Sequence, residues 1–258
     1  MSTPSTRRDQ QAEPGLPQLD IRLAHSAQDA ALISELFDRI WSVSGMVPPE
    51  IITACLHNGG YGSVAWWGER PVGAAFGLVG VPLRGSSGIN LHSHAAGVLS
   101  EVGSRDFGRL IKHHQWRWAK EHGFATCTWT FDPLVRRNAW FNLVKLGTEV
   151  LGYHVNFYGE LVDGINAGEQ SDRVLVRWQV EGLDAPPAGT VVEPLDGDDM
   201  IPTPADIESL RKENRAESSR WRELQREQFL DLQAGGKSVV GLTRDYEYVL
   251  RGIRAARM

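Results

Sequence analysis

The sequence has few cysteines, no long apolar run and no strong excess of one charge. Its two cysteines, Cys55 and Cys127, are far apart and form no CxxC pair, which argues against a disulfide framework and a structural zinc site. The uncharged apolar run Pro71–Leu83 has 13 residues, whereas a membrane-spanning helix needs about 20. The first residues contain no apolar core of the kind that a secretory signal requires. We therefore expect a cytoplasmic protein that does not span a membrane.

Charge also limits the class of partner. The 27 basic and 32 acidic side chains give a net charge of −5, and no dense block of Lys and Arg interrupts the sequence. Nucleic-acid binding normally requires such a block, so we expect no nucleic-acid partner. Hydrophobic residues make up 41% of the 258 positions, which is enough to bury a sizeable core.

Four stretches differ in composition. Residues 1–18 are rich in Pro, Ser and Thr and predict a disordered tail, and residues 19–181 carry the strand and helix signals of a main domain. Residues 182–204 hold five prolines and predict a linker or an extended wrap. Residues 205–258 predict a C-terminal extension with a long amphipathic helix and one or two strands, packed on the main domain. The same helix could instead bind a partner or a second copy in a homodimer.

The order of elements in the main domain is a strand, two helices, three strands, a glycine-containing turn, a long helix, a strand, a short helix and final strands. Several short sequence motifs accompany this order: His92-Ser93-His94, Phe131-Asp132-Pro133-Leu134, Arg137-Asn138-Ala139, Phe141-Asn142-Leu143 and Asn156-Phe157-Tyr158-Gly159. Together they resemble the GNAT N-acyltransferase superfamily, and in particular a subgroup of predicted acetyltransferases with a C-terminal extension. The resemblance spans about residues 19 to 250. It implies an α/β (α+β) fold with a mixed, mostly antiparallel sheet flanked by helices.

The resemblance also implies a donor site. In the superfamily the turn after the fourth strand binds the pyrophosphate of coenzyme A, because amides at a helix start form a nest for an anion. The corresponding residues here are Gly103, Ser104, Arg105, Asp106, Phe107, Gly108 and Arg109. Only Gly108 matches the usual pattern; Gly103 replaces a Gln or Arg, and Asp106 replaces a glycine. Arg105 and Arg109 could offset the negative charge of Asp106.

Acylation of an amine by a thioester needs a proton acceptor, donors for the developing oxyanion and an acid for the leaving thiolate. The resemblance assigns the donors to free backbone amides around Val98 and Leu99, where the fourth and fifth strands part. His92 and His94 share one strand face and suit a general base near neutrality. They could also be structural histidines, or a pair of metal ligands, although no third ligand can be placed by sequence.

The family's acidic tyrosine is replaced by Leu143, so Tyr158 is the candidate acid, with Tyr153 as a second choice. Asn138 matches an asparagine that contacts coenzyme A in relatives, and it could equally cap the short helix.

Three residues are candidates for contact with the acceptor: Trp129, Asp132 and Asn142. Asp132 would attract an ammonium group, or it could simply form the turn before Pro133. Trp129 could instead be a core residue.

These features predict transfer of a short acyl group from acetyl-CoA or another acyl-CoA to a small-molecule amine, which the subgroup suggests is an amino acid. Three alternatives stay open. The donor could be the phosphopantetheine arm of an acyl carrier protein, the scaffold could decarboxylate or hydrolyse a thioester, or the protein could be a non-catalytic ligand-binding or assembly module.

Overall fold

The computed structural model describes residues 18–82, 88–103, 105–159 and 170–252. The strands are β1 (Leu19–Leu23), β2 (Tyr61–Trp67), β3 (Arg70–Gly80), β4 (Asn90–Val98), β5 (Thr126–Phe131), β6 (Glu149–His154), β7 (Arg173–Gln179), β8 (Asp199–Ile201), β9 (Lys237–Leu242) and β10 (Tyr248–Gly252). The helices are α1 (Ala27–Trp41), α2 (Pro49–His57), α3 (Phe107–Glu121), α4 (Arg136–Ala139), α5 (Ile207–Glu213) and α6 (Arg215–Ala234). A 3-10 turn (Ser100–Val102) precedes α3, and α4 runs on as a π-helical segment (Trp140–Lys145).

Seven strands form the main sheet in the order β1-β2-β3-β4-β5-β7-β6. The β4–β5 pair is parallel and every other pair in this sheet is antiparallel. A second sheet has the order β8-β10-β9. The predicted α/β class with a mostly antiparallel sheet flanked by helices is therefore confirmed.

Local chemistry explains where the first elements begin and end. β1 alternates between half-buried and exposed residues, as a strand with one covered face should. The Ser26 side chain accepts a bond from the Asp29 amide, and the Asp29 carboxylate accepts one from the Ser26 amide. This capping box satisfies two donors that the helix start would otherwise leave unpaired. The apolar stripe that follows then packs on the sheet, with Ala30, Ile33, Leu36 and Phe37 buried.

The two faces of the sheet are covered by different helices. Residues of α1 and α2 pack with Phe76 and Ala95 in one cluster. Residues of α3 pack with Leu91, Trp129 and Trp178 in a larger cluster on the other face. Because side chains alternate along a strand, His92 points to the α1 side while Ser93 points to the α3 side.

The C-terminal part differs from its prediction in two places. The stretch 182–204 is not only a linker, because it contains β8, which pairs with β10. The predicted single helix over 205–234 is broken at Asn214, whose backbone is extended and whose side chain caps α6 by accepting a bond from the Glu217 amide. None of the helices in the described ranges is long and apolar enough to cross a membrane.

Candidate active site

The site is built at a fork between β4 and β5. These strands pair in parallel at only three positions, and the last pair joins His92 to Thr128. β4 then continues to Val98 and β5 to Phe131 without further pairing between them. The predicted parting of the two strands is thus confirmed. It opens a wedge lined by backbone groups of β4, because the other edge of β4 remains bonded to β3.

A β-bulge lies on β4 inside the fork. Ser93 is opposite Gly77 and Ala95 is opposite Phe76, which leaves His94 without a partner on β3. A bulge frees the backbone groups of the extra residue and turns its side chain. The hydrogen-bond ladder with β3 therefore constrains the side-chain direction of His94 less than that of the paired residues of β4.

The two backbone amides predicted to face the fork behave differently. The Leu99 amide donates to the Val72 oxygen at 2.8 Å, so the prediction that Leu99 offers a free donor is wrong. Inward and outward amides alternate along an antiparallel ladder. Val98 is opposite Gly73, one position before the bonded pair of Leu99 and Val72, so its amide points away from β3 and into the fork.

His92 and His94 lie together on the α1 side of the fork, with ring centroids 6.4 Å apart. The His92 Nδ1 is 3.4 Å from the Thr128 Oγ1. Burial, with the nearby charges of His94 and Lys112, lowers the pKa of His92 to about 4. His94 packs edge-on against Phe76, and burial lowers its pKa as well. Both imidazoles are therefore neutral at pH 7, the form that can accept a proton.

Tyr158 lies in the turn after β6, although the sequence predicted a strand there. Its hydroxyl is 3.1 Å from the Thr130 Oγ1. Thr128 and Thr130 are two residues apart on β5, so they share a face, and they place Tyr158 on the same side of the fork as His92. The second-choice acid, Tyr153, is buried and donates to the Asp172 carboxylate at 2.6 Å. Burial and this bond raise the pKa of Tyr153, which makes it a poor proton donor.

The start of α3 carries a cluster of charges. Asp106 adopts a left-handed conformation with φ 61°, which explains why a glycine suits this position. Its carboxylate does not cap the helix; it accepts bonds from Arg109 at 2.5 Å and from Lys145 at 3.1 Å. Burial opposes ionisation, but these two bonds hold the pKa of Asp106 below its usual value. Arg105 instead lies over the Trp67 ring, at 4.7 Å from its centroid.

Positive charge is therefore in excess at this helix start, because two cations surround one carboxylate. The Gly103 and Arg105 amides are bonded within the turn, to Ser100 and Gly103. Among the described residues no acceptor bonds the amides of Asp106, Phe107 and Gly108. Ser104 lies outside the described residues. The Phe107 side chain is buried and packs against Trp67, so only its amide could serve a ligand.

Asn138 does not cap the short helix, because the N-cap residue is Val135. Its backbone oxygen accepts a bond from Asn142, while its half-buried side chain has no hydrogen-bond partner among the described residues. The side-chain amide of Asn138 is thus available for a ligand.

The three predicted acceptor contacts are engaged within the protein. Trp129 Nε1 donates to Asn142 Oδ1 at 2.8 Å, and both side chains are buried on the α3 side. Asp132 is held by Arg222 at 2.8 Å and by Arg211 at 2.6 Å. Burial opposes the charge of Asp132, yet the arginines hold its pKa far below the usual value. All three side chains thus already have partners within the protein, and Asp132 anchors the C-terminal helices. Their contact with an acceptor stays a prediction.

Three cations were missed by sequence reasoning: Lys112, Lys145 and Arg173. Lys112 lies on the stripe that contains Gly108, Gln115 and Ala119, at spacings of four, three and four, and this spacing could have revealed its burial. The positions of Lys145 and Arg173 depend on tertiary contacts, and no local pattern signals them.

Comparisons with known proteins identify the fold. No protein-family model matches the sequence, and no curated protein matches it. Among solved structures, the ribosomal-protein-S18-alanine N-acetyltransferase of Escherichia coli is 12% identical, with a TM-score of 0.50 over 64% of this chain and 99% of its own. The chain has the GNAT fold.

Two further structures with this fold resemble the chain. NAA60 of Arabidopsis thaliana, in complex with a bisubstrate analogue, is 12% identical, covering 64% of this chain and 100% of its own with a TM-score of 0.49. A Bacillus subtilis acetyltransferase in complex with CoA is 18% identical, covering 62% and 97% with a TM-score of 0.45. The GNAT part thus accounts for about two thirds of the chain.

Proposed function

We propose that this chain is an N-acyltransferase that moves a short acyl group from an acyl-CoA to the amine of an amino acid. The observation that carries the proposal is the β4–β5 fork, which opens beside a helix start with excess positive charge and with three amides that no described residue bonds. A thioester in the fork would place its carbonyl near backbone donors, and its phosphates would meet the helix start.

The oxyanion donors, the donor contact, the proton acceptor and the acceptor contact each have a candidate group. The Val98 amide would polarise the thioester carbonyl, and the unpartnered Asn138 side chain would contact the donor. His94, on the bulge, or His92, beside it, would accept the proton of the attacking amine. Tyr158 borders the same side of the fork through Thr130, where it would contact the acceptor.

Arg173 supports an amino acid as acceptor. Val174, Val176 and Trp178 belong to the α3-side core, so Arg173 lies on the opposite face, with Thr130 and Tyr158. It donates to the Asp172 backbone oxygen at 2.9 Å and lies 5.5 Å from the Tyr158 ring centroid, and it forms no ion pair with any residue in the described ranges. Burial lowers the pKa of Arg173, although nearby Asp132 opposes this effect. A substrate carboxylate would give Arg173 the ion pair that no described residue forms with it.

Arg177 provides a matched control for Arg173. It lies four residues further along β7 on the same face, but Glu149 binds it at 2.6 and 3.1 Å. Acetyl transfer from acetyl-CoA should be measured with an amino acid and with an amine of similar shape that lacks the carboxylate.

We expect Arg173→Met to raise KM for the amino acid about 10- to 100-fold, as the loss of a charged hydrogen bond of about 1.5–3 kcal/mol implies. The same variant should leave the amine without a carboxylate unaffected, and Arg177→Met should alter neither substrate. No transfer to any amine by the wild-type protein would refute the acyltransferase proposal. Equal effects of the two variants would refute only the role of Arg173.

A further inference from the structure

Lys112 is a buried cation on the inner face of α3. Its side chain is 4% exposed, and its Nζ donates to Ser93 Oγ and to Gln115 Oε1, both at 2.9 Å. The same atom lies 3.4 Å from the centroid of the Trp129 ring, within the range of a cation–π contact.

These contacts place the ammonium at the apex of the fork. His92 and Thr128 form the last pair between β4 and β5. Ser93 and Trp129 are the next residues on each strand, and Lys112 contacts both of them. The ammonium therefore lies at the point where a ligand entering between the strands would end.

No carboxylate in the described part of the chain pairs with Lys112. The titratable groups whose charges interact with Lys112 are the Cys127 thiol on β5 and, across the sheet, the His92 imidazole on β4, and neither carries a negative charge at pH 7. An unpaired buried cation is costly. Burial lowers the pKa of Lys112 to about 7, so the group can gain or lose a proton near neutrality.

The hydrogen bond to Lys112 leaves another polar atom of Gln115 unsatisfied. Its Oε1 accepts the bond from Lys112, while its buried Nε2 has no hydrogen-bond partner among the residues that the structure describes. Turning the amide over would satisfy neither group, because Nε2 would then face the ammonium. A purely structural position would be filled more cheaply by an apolar residue.

Leu143 occupies the position of the family's tyrosine and is buried. Tyr158, the acid candidate from the sequence, lies beside Thr130 on the face of the sheet that carries the histidines, opposite Lys112. We propose that Lys112 is the general acid of the acyl-transfer reaction. This role rests on the acyltransferase function proposed above. The amine nitrogen bonds to the thioester carbon and loses a proton to a histidine. The carbon–sulfur bond then breaks, its electron pair leaves with sulfur, and Lys112 gives the sulfur a proton. The histidine proton returns to Lys112 through solvent, so the products are an amide and a free thiol.

The test compares two donors that differ in their need for an acid. The thiolate of acetyl-CoA leaves poorly without a proton, whereas the acetyl thioester of an aromatic thiol loses its thiolate unaided. We expect Lys112→Met to lower kcat with acetyl-CoA about 100-fold, within the range of general acid catalysis, and to change kcat with the aryl thioester less than about threefold. Lys120→Met is the control, because Lys120 is on the same helix but pairs with Asp184 at the surface.

Equal losses with both donors, or no loss with acetyl-CoA, would overturn the proposal for Lys112. If Lys112→Met does not fold, the wild-type protein decides: kcat with acetyl-CoA should fall as pH rises above the pKa of Lys112, and kcat with the aryl thioester should not. Parallel profiles would overturn the proposal. Transfer from neither donor would refute the acyltransferase function itself.

Discussion

The two histidines on β4 make a prediction about pH. Burial lowers the pKa of both imidazoles, and that of His92 is about 4. A base works in its deprotonated form, so a lowered pKa extends activity towards acid. We expect the acidic limb of kcat/KM for acetyl transfer to lie below pH 6.5, the ordinary value for histidine.

The variants His92→Gln and His94→Gln would show which ring is responsible. Removal of the base should lower kcat/KM and abolish the acidic limb, whereas removal of the other ring should leave the limb in place. A limb at pH 7 or above in the wild-type protein would contradict the assignment of either histidine as base.

Single residues were predicted with unequal success, for a physical reason. His92 and His94 could be placed on one face because alternation along a strand is a local rule. The partners of Asp132 could not be predicted, because Arg222 is 90 residues away. The bond between Trp129 and Asn142 spans only 13 residues, but it depends on how β5 packs against the π-helical segment. A residue type indicates which chemistry is available, but only tertiary contacts decide whether that chemistry is already used.

At the scale of elements, the start of α3 is the part of the donor site that departs most from the family pattern. Asp106 holds Arg109 and Lys145 with its carboxylate. Replacing it with glycine keeps the left-handed backbone without strain, removes a negative charge and frees both cations. We expect Asp106→Gly to lower the Kd for CoA about three- to tenfold, a gain of about 0.7–1.4 kcal/mol. Calorimetric titration would measure it.

Two comparisons make this result specific. Asp20→Asn removes a carboxylate on β1 that pairs with Arg22, and it should leave the Kd for CoA unchanged. Lys145→Met should weaken binding. Unchanged affinity in both Asp106→Gly and Lys145→Met would mean that the phosphates of CoA bind elsewhere.

Most elements could be predicted from local patterns, since alternation and helical spacing depend on neighbouring residues. Two elements were predicted wrongly, one because of a local cap and one because of a tertiary contact. The long C-terminal helix breaks at Asn214, which prefers to cap α6. The first of the predicted final strands ends at His154, before Tyr158, because the Asp172 carboxylate binds the Asn156 amide and turns the chain.

At the scale of the whole molecule, the C-terminal part completes the main core. Phe229 and Tyr248 belong to the same cluster as Trp129 and Tyr153, and Phe229 stacks on Tyr153 at 4.7 Å. Arg222 and Arg226 bind Asp132 and Asp172 across the same boundary. The GNAT part and the extension should therefore unfold as one unit.

We expect Phe229→Ala to destabilise the protein by about 3–5 kcal/mol, because it leaves a cavity in this shared core. Leu224→Ala, on the same helix but with 44% of its surface exposed, should cost less than about 0.5 kcal/mol. Denaturant unfolding followed by tryptophan fluorescence and by circular dichroism would measure both. Two separate transitions would show that the extension folds independently.

The position of the candidate site in the fold could be predicted from the sequence, but several of the side chains that line it could not. The order of elements and the short sequence motifs predicted the parting of β4 and β5 and the turn before α3, because those features belong to the backbone. The cations Lys112, Lys145 and Arg173 escaped prediction, since their environments are formed by residues from separate elements. Their contacts with partners on other elements exist only in the folded chain.

The central claim is that the β4–β5 fork and the start of α3 hold an acyl-CoA. It is tested most directly by calorimetric titration of the wild-type protein with acetyl-CoA and with the acetyl thioester of pantetheine, which lacks the pyrophosphate and the nucleotide. The account predicts one acetyl-CoA per chain, with a Kd at least about tenfold lower than that of the pantetheine thioester. Absence of acetyl-CoA binding, or equal affinity for the two thioesters, would contradict it.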